Sequence, residues 1–246
     1  MDRPVTALLC RTSDRGPQAA AGTRELAELL GARIVGSPGE PRSTGWEDDL
    51  ADSRGCLLEA GGQVDDGFAA GRRPILLAGE CSISVATLPV VVGHHPAARV
   101  LWLDAHGDFN TPATTASGYL GGMCLAGACG LWDTDFGAGL DPARVIMHGV
   151  RDEAGERVAL DRCGVYRLEE PAQLAGMTLF VHLDLDVLDP EVFPASYPAA
   201  GGLSPRALRE LLAQVVRVAD VVGAEITAAA PGYGEVAADA IAPLLE

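Results

Sequence analysis

Two segments of the sequence place metal-binding side chains at alternate positions. The segment "DAHGD" contains Asp104, His106 and Asp108, and the segment "HLDLDVLDP" contains Asp184 and Asp186. In extended backbone, alternate side chains share a face, so each segment can direct its acids toward one point. Carboxylates that converge at buried positions repel one another and lose hydration unless cations neutralise them. The pattern predicts two divalent ions, with Mn²⁺ the best match to the ligands, and hydrolysis of an electrophilic carbon.

A simpler interpretation exists for each of these residues taken alone. A single Asp after a strand, such as Asp189 of the second segment, commonly forms a turn or caps a helix. A lone His106 would more often be a loop or core residue than a ligand. Two strands that end in Asp-x-His and Asp-x-Asp are harder to explain by turn formation, so we prefer the metal site.

Composition limits the classes of function. The chain has 246 residues, 48% of them hydrophobic, which favours a single catalytic domain over residues 1–246. A net charge of −16 disfavours nucleic acid and membrane surfaces as partners and suits a cationic small molecule. Every basic residue is Arg, which excludes a P-loop lysine and Schiff-base chemistry.

The lack of a recognisable targeting signal and the cysteine pattern predict a cytoplasmic protein. No apolar run reaches membrane-spanning length, and the start "MDRPVTALLCRTSDRG" is too short and too polar for a signal peptide. The six cysteines include no Cys-x-x-Cys pair. We therefore expect most of them to be reduced and buried as small apolar groups.

Short apolar runs alternate with helical patterns along the chain. The predicted strands are 5–10, 32–36, 74–79, 99–105, 144–150, 165–168, 178–186 and 221–227. The clearest helix is "SPRALRELLAQVVRVAD", with Ser204 as N-cap and Pro205 in the first turn. This alternation predicts a three-layer α/β/α fold with a mainly parallel sheet of about eight strands, whose ligands bind beyond the carboxyl ends of the strands.

The sequence resembles the arginase-like ureohydrolase family, which includes arginase, agmatinase and formiminoglutamase. The family motifs GGDHS, DAHxD and S-x-D-x-D-x-x-D-P correspond here to "AGECS" at 78–82, "DAHGD" at 104–108 and "HLDLDVLDP" at 182–190. The order and spacing match from the strand at 74–79 to Glu225. This resemblance implies an arginase-like fold, a guanidino substrate and two Mn²⁺ ions.

The resemblance also implies roles for individual residues. The implied metal ligands are Asp104, His106, Asp108, Asp184 and Asp186, with Asp104 and Asp184 as bridges. Asp108 would also orient a hydroxide that bridges the two ions, and Glu225 would pair with the guanidinium.

The implied substrate contacts lie in two loops. In "DFNTPATTASG", Asn110 and Ser117 would hold an α-carboxylate, and in "GVRDEAGE", Asp152 would hold an α-amine. Glu156 matches the second loop only after a shift of one residue. Together these loops favour an arginine-like amino acid over agmatine.

Two positions depart from the family pattern. Cys81 stands where the motif has its ligand His, with Glu80 in place of the preceding Asp. We expect Cys81 to be a thiolate ligand, which would also admit Zn²⁺, Fe²⁺ or Co²⁺, although a buried structural cysteine is the alternative. Gly121 stands where arginases have a His regarded as a proton shuttle, and glycine cannot transfer a proton.

These departures resemble a branch of the family that hydrolyses Nω-hydroxy-L-arginine to L-ornithine and hydroxyurea during D-cycloserine biosynthesis, an antibiotic pathway. The hydroxyl makes the guanidine less basic, and Gly121 and Gly122 leave room for the extra oxygen. Proton delivery would fall to Asp108 or water. The alternatives are a ureohydrolase for arginine, agmatine or another guanidino compound, and a catalytically silent guanidino-binding protein that retains its metals. A homo-oligomer is possible, but no feature of the sequence demands one.

Overall fold

One parallel β-sheet of eight strands organises the molecule. The computed structural model describes residues 5–153 and 155–246. The strands are β1 (Val5–Leu8), β2 (Arg33–Val35), β3 (Ile75–Leu77), β4 (Arg99–Leu103), β5 (Val145–His148), β6 (Tyr166–Arg167), β7 (Thr178–Asp184) and β8 (Asp220–Thr227). Their spatial order is β2-β1-β3-β8-β7-β4-β5-β6, with every neighbouring pair parallel. All eight predicted strands and the parallel sheet are confirmed.

Helices cover both faces of the sheet. They are α1 (Gln18–Leu30), α2 (Trp46–Asp52), α3 (Arg54–Ala69), α4 (Ser84–His94), α5 (Cys124–Ala128), α6 (Arg157–Arg162), α7 (Pro205–Val218) and α8 (Gly234–Leu245). Residues of α3, α4 and α5 join one buried cluster, and those of α1, α7 and α8 join another. Alternate residues of β4 enter opposite clusters: Val100 and Trp102 enter the first, and Leu101 and Leu103 the second. The predicted three-layer α/β/α architecture is therefore confirmed.

Helix α7 begins where the sequence predicts. The Ser204 hydroxyl accepts a hydrogen bond of 3.1 Å from the backbone N–H of Ala207, and Pro205 occupies the first helical position. This pairing satisfies one of the N–H groups that lack a partner in the first turn of a helix. Leu208, Leu211 and Leu212 are buried against the sheet, as their spacing predicts.

Four central strands bring the predicted functional segments to one edge of the sheet. Strands β3 and β4 follow each other in sequence, but β8 and β7 lie between them. The carboxyl ends of β3, β8, β7 and β4 are therefore adjacent. Several observed strands end earlier than the predicted runs, as β4 does at Leu103. The residues that follow leave the ladder and enter the site described below.

The cysteines differ partly from expectation. Cys10, just after β1, forms a disulfide with Cys56 of α3, a pairing that no pattern in the sequence predicts. The other four cysteines are free, and two of them, Cys81 and Cys124, are buried.

The described helices are all too short or too polar to cross a bilayer. Residues 1–4, which begin the segment used for the signal-peptide prediction, lie outside the described part of the chain.

Gly22 allows α1 to approach the loop that follows β8. A Cβ at this position would lie 1.8 Å from the backbone oxygen of Ala229. We expect Gly22→Ala to lower the free energy of unfolding by about 1–3 kcal/mol or more, because backbone must move apart. Gly62 is the matched control, since it is exposed in α3 and a Cβ there would meet nothing within 4 Å.

We expect Gly62→Ala to stabilise the protein by about 0.5–1 kcal/mol, because alanine has the higher helix propensity. Urea denaturation of both variants measures the two effects. Equal destabilisation by the two substitutions would contradict the proposed close contact at Gly22.

Candidate metal centre and substrate cavity

The segment after β4 turns its acidic side chains into the molecule. Asp104 is buried, and its Oδ1 accepts a 2.7 Å hydrogen bond from the backbone N–H of His106. Asp108 is also buried and has a φ of 47°, in the left-handed region that non-glycine residues rarely adopt. The backbone oxygen of Asp108 accepts hydrogen bonds from Leu125 and Ala126 at the start of α5, which hold this turn in place.

The segment after β7 lies beside the first. Asp184 ends the strand, and its Oδ1 accepts a 2.7 Å hydrogen bond from the backbone N–H of Asp186 in the following turn. Asp186 Oδ1 accepts a 3.0 Å hydrogen bond from the backbone N–H of Ala105, which ties the two segments together. Asp189 instead accepts from the backbone N–H of Glu191 and forms a turn. The interpretation as a turn-forming residue therefore holds for Asp189, and it does not describe Asp184 and Asp186.

Two groups of potential metal ligands share one carboxylate. Asp104, His106 and Asp186 form one group, and Cys81, Asp104 and His182 form the other. Within each group, one ligand atom from every residue lies within 4.8 Å of the others. The shared residue, Asp104, is suited to bridge two ions, which is the role that the family resemblance implies.

Cys81 reaches this cluster from the end of β3. Its Sγ lies 2.8 Å from Asp184 Oδ2 and 3.9 Å from Asp104 Oδ2. Thr227, at the end of β8, donates a 3.0 Å hydrogen bond to the same Asp184 oxygen. The structure thus brings the predicted thiol ligand against the two predicted bridging acids.

Without a cation, the cluster favours protonated acids. Burial raises the pKa of Asp184 to about 7, and repulsion from Asp186 adds to the rise. Burial raises the pKa of Asp186 in the same direction, and that of Asp108 well above its ordinary value, with Asp104 adding repulsion in both cases. Burial and then Asp184 and Asp104 keep the Cys81 thiol pKa far above its usual range.

The pKa of His106 is raised as well, but for a histidine this favours the charged form. Burial lowers its pKa, but hydrogen bonds to Asp104 and Asp186 outweigh burial and raise the pKa to about 12. The Nδ1 atom lies 3.0 Å from Asp186 Oδ2 and 3.4 Å from Asp104 Oδ1. In effect the imidazolium occupies the place of a cation among these carboxylates.

The donor set fits hard or borderline divalent ions. It is rich in carboxylate oxygen, with imidazole and one thiol, and the buried acids repel one another in the absence of positive charge. The Nε2 atom of His182 is buried and has no hydrogen-bond partner within the described residues. Cations at the two groups would neutralise the acids, and the one in the second group would give His182 Nε2 a partner.

A cavity of about 460 Å³ opens onto this cluster. Its lining includes all six predicted metal ligands and the predicted substrate contacts Asn110, Ser117 and Asp152, but neither Glu225 nor His182. Asp152 and Ser117 are exposed at the cavity, whereas Asn110 is half-buried. Residue 154 of the predicted amine-binding loop lies outside the described residues.

Glu156 also lines the cavity, and it organises the loop that carries Asn110. Its carboxyl oxygens accept hydrogen bonds from the backbone N–H of Phe109, at 3.0 Å, and from the Asn110 side-chain amide. Burial raises the pKa of Glu156 to about 7. Glu156, which matches the family loop only after a shift of one residue, is thus a buried acid beneath Asn110. Asp152 is exposed nearer the mouth of the cavity.

Glu225 is the predicted site residue that the structure does not bring into the cavity. It is fully buried on β8 opposite His182 of β7. Its Oε1 lies 2.7 Å from His182 Nδ1 and accepts from the Ser84 hydroxyl, while Oε2 accepts from Thr87. Contact with a guanidinium would require some of these bonds to break.

Tyr119 fills the space beside Gly121. A Cβ at Gly121 would lie 2.5 Å from Tyr119 Cε1 and 2.9 Å from its hydroxyl oxygen. That hydroxyl donates a hydrogen bond to Glu80, and the ring packs against Tyr197 with centroids 4.9 Å apart. A side chain such as His at 121 would therefore require the phenol to move.

Sequence reasoning missed Arg15, Tyr119, Tyr197 and His182. Arg15 and Tyr197 line the cavity from loops that carry no motif, and Tyr119 directly follows the predicted substrate loop without being part of its pattern. His182 did leave a signal, because it precedes Asp184 by two residues in a strand and so shares its face.

Comparisons with known proteins agree with this geometry. A model of the Arginase family matches residues 46–245. The chain is 36% identical to the N(omega)-hydroxy-L-arginine amidinohydrolase of Streptomyces lavendulae over 241 residues, which cover 93% of this chain and 88% of that protein. It is 37% identical to the arginase of Bacillus caldovelox over 168 residues, covering 58% and 56% of the two chains.

Solved structures share the fold. The arginase of Bacillus subtilis superposes with a TM-score of 0.82 at 21% identity, covering 100% of this chain and 98% of that one. The proclavaminate amidino hydrolase of Streptomyces clavuligerus superposes with a TM-score of 0.74 at 23% identity, covering 99% and 90%. At these identities the likeness establishes the fold alone.

Proposed function

The chain belongs to the arginase family and is a ureohydrolase, and from this premise we propose that it hydrolyses Nω-hydroxy-L-arginine to L-ornithine and hydroxyurea. The observation that carries the proposal is the pair of ligand groups that share Asp104 at the base of the cavity. A family of guanidino hydrolases that typically uses two Mn²⁺ ions accounts for that pair. The substrate within this class rests on the features that follow.

Two Mn²⁺ ions, when bound, would supply a water-derived nucleophile at neutral pH and stabilise the charge that develops at the guanidino carbon. In our proposal Cys81, Asp104, His106, Asp108, Asp184 and Asp186 hold them. Asp108 lies where the ligand cluster meets the cavity. It is therefore placed to take a proton from the attacking water and pass it to the leaving amine.

The cavity wall beside Asp108 favours a hydroxylated guanidine as the substrate. A Cβ at Gly122 would lie 4.0 Å from Asp108 Oδ1, so the absent side chain leaves room next to this acid. An oxygen on the guanidine needs such room, and its electron-withdrawing effect makes the guanidine less basic. The alignment with the Streptomyces lavendulae amidinohydrolase across most of both chains supports the same choice.

Residues nearer the cavity mouth suit the amino-acid end of the substrate. We propose that Asn110 and Ser117 bind the α-carboxylate and that Asp152 attracts the α-amine. Arg15 joins this group, as the sole arginine among the described lining residues. Its Nε is buried without a hydrogen-bond partner in the described structure, and its Nη2 donates to the backbone oxygen of Ser117.

Turnover of a substrate panel tests the proposed function. Metal-free protein is reloaded with Mn²⁺ and supplied with Nω-hydroxy-L-arginine, L-arginine or agmatine, and ornithine, hydroxyurea and urea are quantified. We expect hydroxyurea and ornithine from the first substrate at much the highest kcat/KM. Equal or better turnover of arginine would overturn the proposed substrate, and binding without turnover of any substrate would indicate a silent guanidino-binding protein.

Arg15→Gln tests the proposed carboxylate contact. Because a hydrogen bond to a charged group contributes about 1.5–3 kcal/mol, we expect KM for hydroxyarginine to rise about 10- to 100-fold with little change in kcat. Activity on the decarboxylated analogue, Nω-hydroxyagmatine, should change little. Arg206→Gln is the matched control, since Arg206 is exposed on α7 and pairs with Glu210. Equal losses on both substrates would contradict the contact.

The remaining proposals concern the domain organisation, the location and the pathway of the protein. We propose that residues 1–246 form one catalytic domain, because all eight strands belong to a single sheet. We also propose a role in antibiotic biosynthesis, from the resemblance to the hydroxyarginine-hydrolysing branch of the family, and a cytoplasmic location, from the polar start of the sequence. The Cys10–Cys56 disulfide is the feature that this location does not explain.

A further inference from the structure

His182 is a buried histidine with one nitrogen paired and the other unpaired. Its side chain is fully buried on β7, and its ring stacks on Trp102 of β4 with centroids 3.5 Å apart and planes 7° apart. This stacking fixes the plane of the imidazole. Neither residue lines the substrate cavity, so His182 lies behind the predicted ligands.

The hydrogen bond to Glu225 indicates which ring nitrogen of His182 carries a proton. Nδ1 lies 2.7 Å from Glu225 Oε1, and a carboxylate can only accept, so Nδ1 carries the hydrogen. The hydroxyls of Ser84 and Thr87 donate to the same carboxylate and fix its orientation. In the neutral ring this tautomer leaves Nε2 with a free lone pair, which is the form that binds metals.

Nε2 points toward the ligand cluster. It lies 4.0 Å from Asp104 Oδ2, which is too far for a hydrogen bond, and has no partner in the described structure. Cys81 Sγ, Asp104 Oδ2 and this nitrogen belong to one group whose ligand atoms lie within 4.8 Å of one another. A buried acceptor without a donor is costly unless a cation or proton occupies the space between them.

We infer that His182 is a metal ligand, binding through Nε2 the ion that Cys81 and Asp104 also bind. Glu225 is then a positioning residue that holds the tautomer and orientation of His182, an arrangement common around metal-bound histidines. The inference rests on the proposed function, because it needs a divalent ion in this group. The family motif has Ser at the position of His182, so the chain has gained an imidazole here while carrying Cys81 in place of another.

Metal binding by matched variants tests the ligand. Metal-free wild type, His182→Ser and His148→Ser are titrated with Mn²⁺, and free Mn²⁺ is followed by its electron paramagnetic resonance signal. His148 is a half-buried histidine of β5 whose Nδ1 faces the backbone oxygen of Leu168, and it belongs to neither ligand group. We expect His148→Ser to bind two ions like the wild type and His182→Ser to bind one of them about 100-fold more weakly.

A spectroscopic measurement keeps the test independent of whether His182→Ser folds. His106→Asn removes the other predicted imidazole ligand at a partly exposed position. We expect electron spin-echo modulation from an imidazole nitrogen to persist in Mn²⁺-loaded His106→Asn. In Glu225→Gln, the modulation should remain but with altered nitrogen coupling, and affinity should fall about 10-fold.

The outcomes separate the two proposals. If the wild type binds no Mn²⁺, both the proposed function and the His182 ligand are overturned. If Mn²⁺ binds to His182→Ser as tightly as to the wild type, or His106→Asn binds Mn²⁺ with no nitrogen modulation, only the His182 ligand is overturned.

Discussion

Asp104→Asn is expected to reduce turnover at least about 1,000-fold and to weaken the binding of both metal ions. Asp104 is the one residue common to the two ligand groups, so the substitution removes charge from both at once. Metal ions stabilise a transition state by several kcal/mol, and each 1.4 kcal/mol or so is tenfold in rate. The measurements are Mn²⁺ content after dialysis and kcat/KM for hydroxyarginine.

Asp189→Asn is the matched control for this loss. Asp189 belongs to the same sequence motif as Asp184 and Asp186, but its carboxylate accepts from the backbone N–H of Glu191 in a turn. We expect this variant to retain both metal ions and most of its activity, at the expense of some stability. If Asp104→Asn kept its full metal content and turnover while Asp189→Asn lost both, the assignment of Asp104 as the shared ligand and of Asp189 as a turn residue would be wrong.

Asp184→Asn should change stability with opposite signs in the metal-free and metal-loaded protein. Burial and Asp186 raise the pKa of Asp184 from its ordinary value of 3.8 to about 7 in the folded chain. A raised acid pKa stabilises the fold below the unfolded pKa, and that contribution is lost as pH rises through about 7. Metal-free Asp184→Asn should therefore be more stable than the wild type at pH 8 and similar or less stable near pH 4.

Manganese reverses that ranking, because it binds the folded wild type and needs the deprotonated carboxylate. With saturating Mn²⁺ at pH 8, the wild type should have the higher Tm. Wild-type Mn²⁺ affinity should also fall about tenfold per pH unit below 7 for each proton displaced. Thermal melts across pH, with and without Mn²⁺, measure all of these effects. A metal-free wild type more stable than Asp184→Asn at pH 8 would contradict the buried repulsion.

The two lost histidines of the family pattern have different structural consequences. At position 81 the replacement keeps a ligand atom, since Cys81 Sγ lies against Asp184 and near Asp104. At position 121 the space has been refilled by the Tyr119 ring, which is held by Glu80 and Tyr197. A Gly121→His substitution alone is thus not a simple restoration, and Tyr119 must be shortened in the same variant.

Local patterns were enough to predict the sheet and most of the acidic side chains that the structure brings together. Apolar runs identify strands because burial on both faces demands them, and Asp184 and Asp186 are visible because a short motif fixes their relation to a strand end. The side chains that complete the cavity were not predictable in this way. Arg15 and Tyr119 come from loops whose paths depend on contacts distant in sequence, such as the bond from Arg15 to Ser117.

The fold class and the acidic ends of β4 and β7 follow from local periodicity and contiguous motifs in the sequence, and the family resemblance made Cys81 a further candidate. Which groups face one another depends on the order of the strands in the sheet. Strand order places β8 beside β7, so Glu225 meets His182 instead of the cavity, and the free nitrogen of His182 turns toward Asp104. Pairing across strands joins residues 43 positions apart, and no local pattern records that distance.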